Sequence, residues 1–263
     1  MFIMEITWFG AASLRLSFEE KSVLIDPFFP LSLNGFEREA LLKTYRKEKH
    51  ILFTHNHFDH VGNAAEIAQN NPCALYATKS VVRSLGKKGL SQDRFSCVRA
   101  GEQRHIEHFS VRFSQGRHVR FGFSEVMQAA KNGLAHPVML SKVLMSNRAY
   151  DKPNGAKEIV FLDIQAGGKH VQIMSSLGLD PETKYATGAD ALIFAYAGST
   201  RLIEISETLI SKLKPKRVIP YHFDNAFPPL TQEPDLLPLL NMMRDRFPQT
   251  ELYFPKIGIP FTV

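Results

Sequence analysis

The chain has 263 residues, of which 44% are hydrophobic and 22% are charged, a balance that excludes intrinsic disorder. A chain of this length buries a hydrophobic core without disulfides or a structural metal ion. Its two cysteines, Cys73 and Cys97, fit neither a disulfide framework nor a metal-binding spacing. The net charge of +6 comes from dispersed residues, with no basic arm and no nucleic-acid-binding motif, and it favours a mild attraction for anionic small molecules.

The amino-terminal segment and the scarcity of cysteine favour a cytoplasmic protein. The first ten residues lack the basic region of a signal peptide and carry Glu5 early. No apolar run approaches the length of a membrane span. Two isolated cysteines fit a reducing compartment. These features do not determine the oligomeric state, and they are compatible with a homo-oligomer.

The first part of the chain alternates short apolar strands with helices. Period-two alternation or a continuous apolar run predicts strands at Ile3–Phe9, Leu14–Phe18, Val23–Ile25, His50–Thr54 and Leu75–Ala77. Spaced apolar positions in polar segments predict helices at residues 36–49, Gly62–Asn70 and Lys79–Leu85. Strands that alternate with helices are typical of parallel βαβ units.

The second part contains a segment of different character. Residues 94–114 hold three weak strand-like runs, and a loop is predicted at Gln115–His118. Residues 121–157 have mixed periodicity with prolines and glycines, which predicts a partly helical insertion. A hairpin is then predicted from the strands Glu158–Asp163 and Lys169–Ser175 around a turn at Gly167–Gly168. Further strands are predicted at Asp190–Tyr196, Arg217–Pro220 and Glu251–Phe254, and helices at Ser206–Leu213 and Leu236–Phe247. Because no linker or repeat interrupts the pattern, a single domain over residues 1–263 is expected.

The string HNHFDH at residues 55–60 carries the strongest chemical signal. In extended backbone, residues two apart point the same way, so His55 and His57 can hold one ion. Asp59 is expected to cap the following helix, and the turn there directs His60 toward a second ion. Imidazole and carboxylate ligands suit zinc, iron or manganese. Without a cation, these clustered polar groups at the end of a buried strand would be costly to satisfy.

The string resembles the motif of the metallo-β-lactamase superfamily. The surrounding chain is similar to the branch that includes ascorbate-6-phosphate lactonases, with related motifs in the same order at residues 8–13 (WFGAAS), 24–29 (LIDPFF) and 219–223 (IPYHF). That branch often has a histidine where Ala11 stands. The resemblance implies an α/β fold, a four-layer αββα sandwich with metal ions at one edge between the sheets.

The resemblance also implies a ligand set, carried over position by position. The first ion would be held by His55, His57 and His118, and the second by Asp59, His60 and His222. Asp26 would lie behind the ligands and orient them, a common role for a supporting carboxylate. One or two divalent ions are expected, with zinc preferred over iron or manganese.

The sequence departs from the family at one ligand position. The family has an aspartate that bridges two ions, and alignment on Gly178 places Ser176 there. Three alternatives follow. The site holds one ion, it holds two that are bridged by hydroxide or by Asp180, or catalysis has been lost and a metal-binding scaffold remains.

The expected activity is hydrolysis by a metal-bound hydroxide. Asp59 would orient the nucleophile and accept its proton, and His222 or Tyr221 would protonate the leaving group. The expected substrate is a small anionic ester, lactone or phosphoester. A phosphodiesterase for lipids or nucleotides is the alternative enzyme. A redox di-iron site is disfavoured, because the di-iron branch has a glutamate where His57 stands.

Overall fold

The computed structural model describes residues 3–69, 71–118, 134–138, 140–141, 145, 158–197, 199–228 and 230–263. Most of the predicted insertion at 121–157 therefore lies outside the described residues, and the single-domain organisation over 1–263 stays a prediction. No helix in these described ranges is long and apolar enough to cross a membrane.

The first sheet has seven strands in the order β15-β1-β2-β3-β4-β5-β6. Its strands are β1 (Glu5–Trp8), β2 (Leu14–Phe18), β3 (Lys21–Ile25), β4 (His50–Leu52), β5 (Ala74–Ala77), β6 (Phe95–Cys97) and β15 (Phe261–Thr262). The first three strands and β15 pair antiparallel, whereas β3, β4, β5 and β6 pair parallel through helical connections. The predicted βαβ units are thus confirmed.

The second sheet has eight strands in the order β11-β8-β9-β10-β12-β13-β14, with β7 paired to β8. Its strands are β7 (Gln103–Ile106), β8 (Phe109–Arg117), β9 (Ile159–Ala166), β10 (Lys169–Met174), β11 (Gly178–Leu179), β12 (Ala191–Ala195), β13 (Arg217–Tyr221) and β14 (Glu251–Leu252). The predicted hairpin is confirmed as β9 and β10, which turn at Gly167 and Gly168, both with positive φ.

Helices cover the outer face of each sheet. They are α1 (Gly35–Tyr45), α2 (Phe58–Val61), α3 (Ala64–Ala68), α4 (Lys79–Gly86), α5 (Leu202–Leu213) and α6 (Leu237–Arg246). The first four pack on the first sheet and the last two on the second.

Side-chain alternation in the strands separates the layers. In β9, Val160 and Leu162 point into the core between the sheets, whereas Ile159 and Phe161 point toward α5 and α6. The result is the four-layer αββα sandwich that the resemblance implied.

Two local predictions were wrong. The expected loop at Gln115–His118 is strand through Arg117, because Gln115 pairs with Val160 and Arg117 pairs with Gly178. The helix predicted at 62–70 forms only over Ala64–Ala68, as α3, because Gly62 is the C-cap of the preceding short helix α2. The strand β15 was not predicted, since a two-residue strand carries no periodic pattern.

Candidate metal centre

Strand ends from both sheets deliver the predicted ligands to one edge of the sandwich. In the first sheet, Asp26 directly follows β3, and the segment 55–60 begins three residues after β4. In the second sheet, His118 directly follows β8 and His222 directly follows β13. Ligand sites in α/β folds form at the carboxyl ends of strands, where side chains from separate loops converge.

The backbone turn after β4 separates the ligands of the 55–60 string into two directions. His57, in extended conformation, is the N-cap of α2, so the expectation that Asp59 would be the cap was wrong. Asp59 and His60 instead lie inside the first turn of this four-residue helix. The helical turn therefore places Asp59 and His60 in a second ligand group with His222, although the ring centroids of His55 and His60 stay 3.9 Å apart.

The first group consists of three imidazoles. His55, His57 and His118 each offer one ligand nitrogen, and these nitrogens lie within 4.8 Å of one another. His118 Nε2 lies 3.1 Å from His57 Nδ1, although these residues are 61 positions apart in the chain. His55 is buried, whereas His57 and His118 are partly exposed, so this group faces solvent on one side.

The second group combines one carboxylate with two imidazoles. The ligand atoms of Asp59, His60 and His222 also lie within 4.8 Å of one another. His222 Nε2 lies 3.1 Å from Asp59 Oδ2, and His60 Nε2 lies 3.9 Å from the same oxygen. His222 has a φ of +59°, a strained conformation for a residue with a side chain, which is common at functional sites.

Asp26 lies behind both groups and is completely buried. Its Oδ1 accepts a hydrogen bond from the Thr54 backbone N–H at 2.8 Å, and its Oδ2 lies 2.9 Å from His60 Nδ1. The Thr54 hydroxyl also bonds to Oδ2. Asp26 has a φ of +44°, and Ser13 holds the adjoining turn through its hydroxyl, which accepts from the Phe28 N–H at 2.6 Å.

Burial and neighbouring charges hold His55 and Asp59 in forms suited to binding a cation. Burial, reinforced by the nearby imidazoles of His60 and His57, lowers the pKa of His55 well below its usual value, which favours the neutral ligand form. Burial alone would raise the pKa of Asp59, but the imidazoles of His60 and His222 outweigh it, and the pKa lies well below its usual value. Asp59 therefore stays ionised.

Ser176 and Asp180 occupy different surroundings. Ser176 is buried, and its hydroxyl lies 3.5 Å from the carbonyl oxygen of Arg117, the residue before His118. Asp180 is held by Arg117 Nε at 2.7 Å and by the Thr183 hydroxyl at 2.8 Å, one on each carboxylate oxygen. Asp180 belongs to neither ligand group, so the geometry does not bring it in as a bridge.

Tyr221 does not fit the expected role of proton donor. Its side chain is completely buried in the core between the sheets, and its hydroxyl donates to Ser175 Oγ at 2.8 Å. Burial, with the nearby carboxylate of Asp26, raises the pKa of Tyr221 well above its usual value. The phenol is therefore a structural hydrogen-bond donor.

The residues present fit a divalent metal site. Imidazole nitrogen and carboxylate oxygen are the donors that zinc, iron and manganese take, and three per ion leave a coordination position open. His222 Nδ1 is buried and has no hydrogen-bond partner in the described part of the chain. A buried nitrogen in this condition is costly unless a ligand satisfies it.

Sequence reasoning missed Thr54. Threonine is common in strands, so a threonine after a buried run carries no functional signal by itself. Its contact with Asp26 depends on the parallel pairing of β3 with β4, which brings the two strand ends together.

Comparison with known proteins agrees with this architecture. The family model of the metallo-β-lactamase superfamily matches residues 6–118, which contain five of the six side chains in the two groups. A UPF0173 metal-dependent hydrolase of Rhizobium leguminosarum bv. trifolii is 30% identical over 54% of this chain. The match spans 57% of that relative's length, little more than half.

Two further similarities extend over most of the chain. A UPF0173 metal-dependent hydrolase of Geobacillus thermodenitrificans is 27% identical over 88% of this chain and 90% of its own length. The metallo-β-lactamase fold protein YhfI of Bacillus subtilis superimposes with a TM-score of 0.68 at 12% identity, and the match covers 100% of each chain. At this level of identity, the structural similarity shows a shared fold.

Proposed function

The chain belongs to the metallo-β-lactamase superfamily, and on this premise we propose that it is a metal-dependent hydrolase of small anionic esters, lactones or phosphoesters. One observation carries the proposal. Two groups of three ligand atoms, each within 4.8 Å, lie at one edge of the sandwich and draw on both sheets. The names of the relatives, which describe metal-dependent hydrolases, support the same class of activity.

The proposed ligands fall into the two groups that the distances between their ligand atoms define. One divalent ion would be held by His55, His57 and His118, and a second by Asp59, His60 and His222. Such an ion supplies Lewis acidity, which polarises a substrate oxygen and makes water a nucleophile near neutral pH. Zinc is the preferred ion, since three protein donors and an open position are typical of catalytic zinc.

Asp59 and His222 are the proposed catalytic residues. Asp59 is ionised and partly exposed, so its carboxylate can accept a hydrogen bond from the attacking water and orient it. His222 Nε2 lies 3.1 Å from Asp59 Oδ2, so in a chain whose only ion is held by the first group this imidazole would be free to pass a proton toward the leaving group.

An anionic substrate fits the net positive charge of the chain. Arg117, which precedes His118 at the end of β8, is 57% exposed, although its guanidinium also pairs with Asp180 at 2.7 Å. The net charge of +6 adds a weak attraction for anions over the whole surface.

The test combines metal analysis with turnover. The zinc-loaded chain is assayed on a panel of nitrophenyl esters, small lactones and phosphomono- and phosphodiesters, with and without a chelator. We expect chelator-sensitive turnover of at least one compound, lost in His57→Ala and retained in His105→Ala. The second variant removes an exposed histidine of β7 that pairs with Ser110, near the opposite end of β8 from His118. A chain that retains no zinc, iron or manganese after reconstitution would refute the proposal.

The same metal analysis decides the role of Ser176. Two ions per chain would mean that the six side chains hold both without a carboxylate bridge. One ion per chain, lost in His57→Ala but retained in His222→Ala, would assign it to the first group. In that case the introduction of a carboxylate by Ser176→Asp is expected to add the second ion, because the new charge would lie next to the Arg117–His118 backbone.

A further inference from the structure

Thr54 lies between Asp26 and His55 and is fixed from three sides. Its backbone N–H donates to Asp26 Oδ1 at 2.8 Å, and its carbonyl oxygen accepts from the Val160 N–H of β9 at 3.0 Å. Its hydroxyl contacts both Asp26 Oδ2 and, at 3.0 Å, His55 Nδ1. Thr54 and Asp26 are both completely buried, so water does not compete for these bonds.

Counting protons determines the direction of each hydrogen bond. The Thr54 hydroxyl donates to Asp26 Oδ2, so its single proton points to that carboxylate. The Thr54 oxygen must then accept from His55, which places the imidazole proton on Nδ1. The same carboxylate accepts from His60 Nδ1 at 2.9 Å. A neutral imidazole with its proton on Nδ1 presents an unprotonated Nε2, the form in which imidazole binds a metal.

We propose that Thr54 is a positioning residue: its hydroxyl connects Asp26 to His55, so that Asp26 also orients the first ligand group. One buried carboxylate sets the tautomer of a histidine in each group, directly for His60 and through the Thr54 hydroxyl for His55. The two groups thus share one support, although Asp26 touches only the second. The inference rests on the proposed metal-binding function.

The first test needs no variant and no metal. In the chelator-treated wild-type chain with ¹⁵N-labelled histidine, long-range proton–nitrogen correlation spectra report which ring nitrogen carries the proton. We expect His55 and His60 to be protonated on Nδ1. A His55 signal with the proton on Nε2 would overturn the proposal, whether or not the protein hydrolyses any substrate.

The second test removes only the hydroxyl. Thr54→Val keeps the shape of the side chain, and Thr54→Ser keeps its hydroxyl. In the valine variant we expect the His55 tautomer to become mixed while His60 stays protonated on Nδ1; the serine variant should behave as wild type. Equal tautomer populations in the valine variant and wild type would overturn the proposal.

The third test measures zinc affinity one group at a time, by competition with a chromophoric chelator. In a His222→Ala background, which leaves the first group intact, Thr54→Val is expected to weaken zinc binding by roughly 10- to 100-fold, the usual effect of losing a supporting partner. In a His57→Ala background, which leaves the second group intact, the change should stay within about threefold, well below that effect. Equal weakening in both backgrounds would show a general structural effect and refute the specific role. An absence of turnover would refute only the hydrolase proposal.

Discussion

Replacement of Tyr221 by phenylalanine separates a structural role from a chemical one. The ring is completely buried between the sheets, so phenylalanine fills the same space and leaves no cavity. The substitution removes one hydrogen bond, from the Tyr221 hydroxyl to Ser175 Oγ at 2.8 Å. A neutral hydrogen bond contributes about 1 kcal/mol, and the buried partner left unpaired adds to the cost, so we expect a loss of about 1–2 kcal/mol. For a chain of this size, that loss lowers Tm by about 2–8 °C.

The measurements are urea unfolding, metal content and turnover of the best substrate from the panel. The Tyr221→Phe variant should bind metal as wild type does and keep its kcat within about threefold, a small effect beside the roughly 100-fold or larger loss typical of removing a general acid. The matched comparison is His222→Gln, which should lose activity together with the ion of the second group. A Tyr221→Phe variant with unchanged stability and metal content but a 100-fold lower kcat would refute the reasoning and restore the phenol as proton donor.

Three further predictions follow from the site and its supports. Asp59→Asn should weaken binding of the second ion by more than the roughly 10- to 100-fold typical of a supporting residue, whereas Asp180→Asn should leave metal content unchanged; equal effects in elemental analysis would contradict the assignment. Gly116→Ala places a Cβ 2.9 Å from Phe161 Cε1 and should cost about 1–3 kcal/mol in urea unfolding, whereas Gly35→Ala, with no atom within 4 Å, should cost far less. Zinc at 100-fold above its Kd should raise the stability by about 2.7 kcal/mol and Tm by about 5–11 °C; an unchanged Tm after chelation would contradict binding to the folded state.

Local patterns were sufficient for most strands of the fold. The strand Leu14–Phe18 alternates buried and half-buried residues along its length, and this period of two is visible in the sequence. The continuous run in β12 is buried at every position, as expected of a strand covered on both faces. The ligand string 55–60 was also evident, because three histidines and an aspartate are concentrated in six residues.

What the sequence could not show depends on contacts between distant segments. The end of β8 looks like a loop because it contains Gln115 and Gly116, yet it pairs with β9 across the unpatterned segment 121–157. Gly116 fits there because the Phe161 ring leaves no room for a Cβ. The support that Thr54 receives from Asp26 likewise arises only when β3 and β4 lie side by side.

The division of ligands between the sheets has an energetic consequence. Each group draws on the segment after β4 in the first sheet and on one strand end of the second, across 61 positions for His57 and His118 and 163 for Asp59 and His222. An ion in either group therefore links residues that are far apart in the chain. In the unfolded state this link would close a long loop at a cost in conformational entropy, whereas in the folded state the ligands are already together. The core between the sheets is built from apolar side chains of both sheets, and the ligand side chains are not among them. An ion would therefore bind at an edge that the apolar core already supports. At that edge Asp26 and His222 have positive φ, and the buried hydrogen bonds of Asp26 to Thr54 and His60 offset such strain.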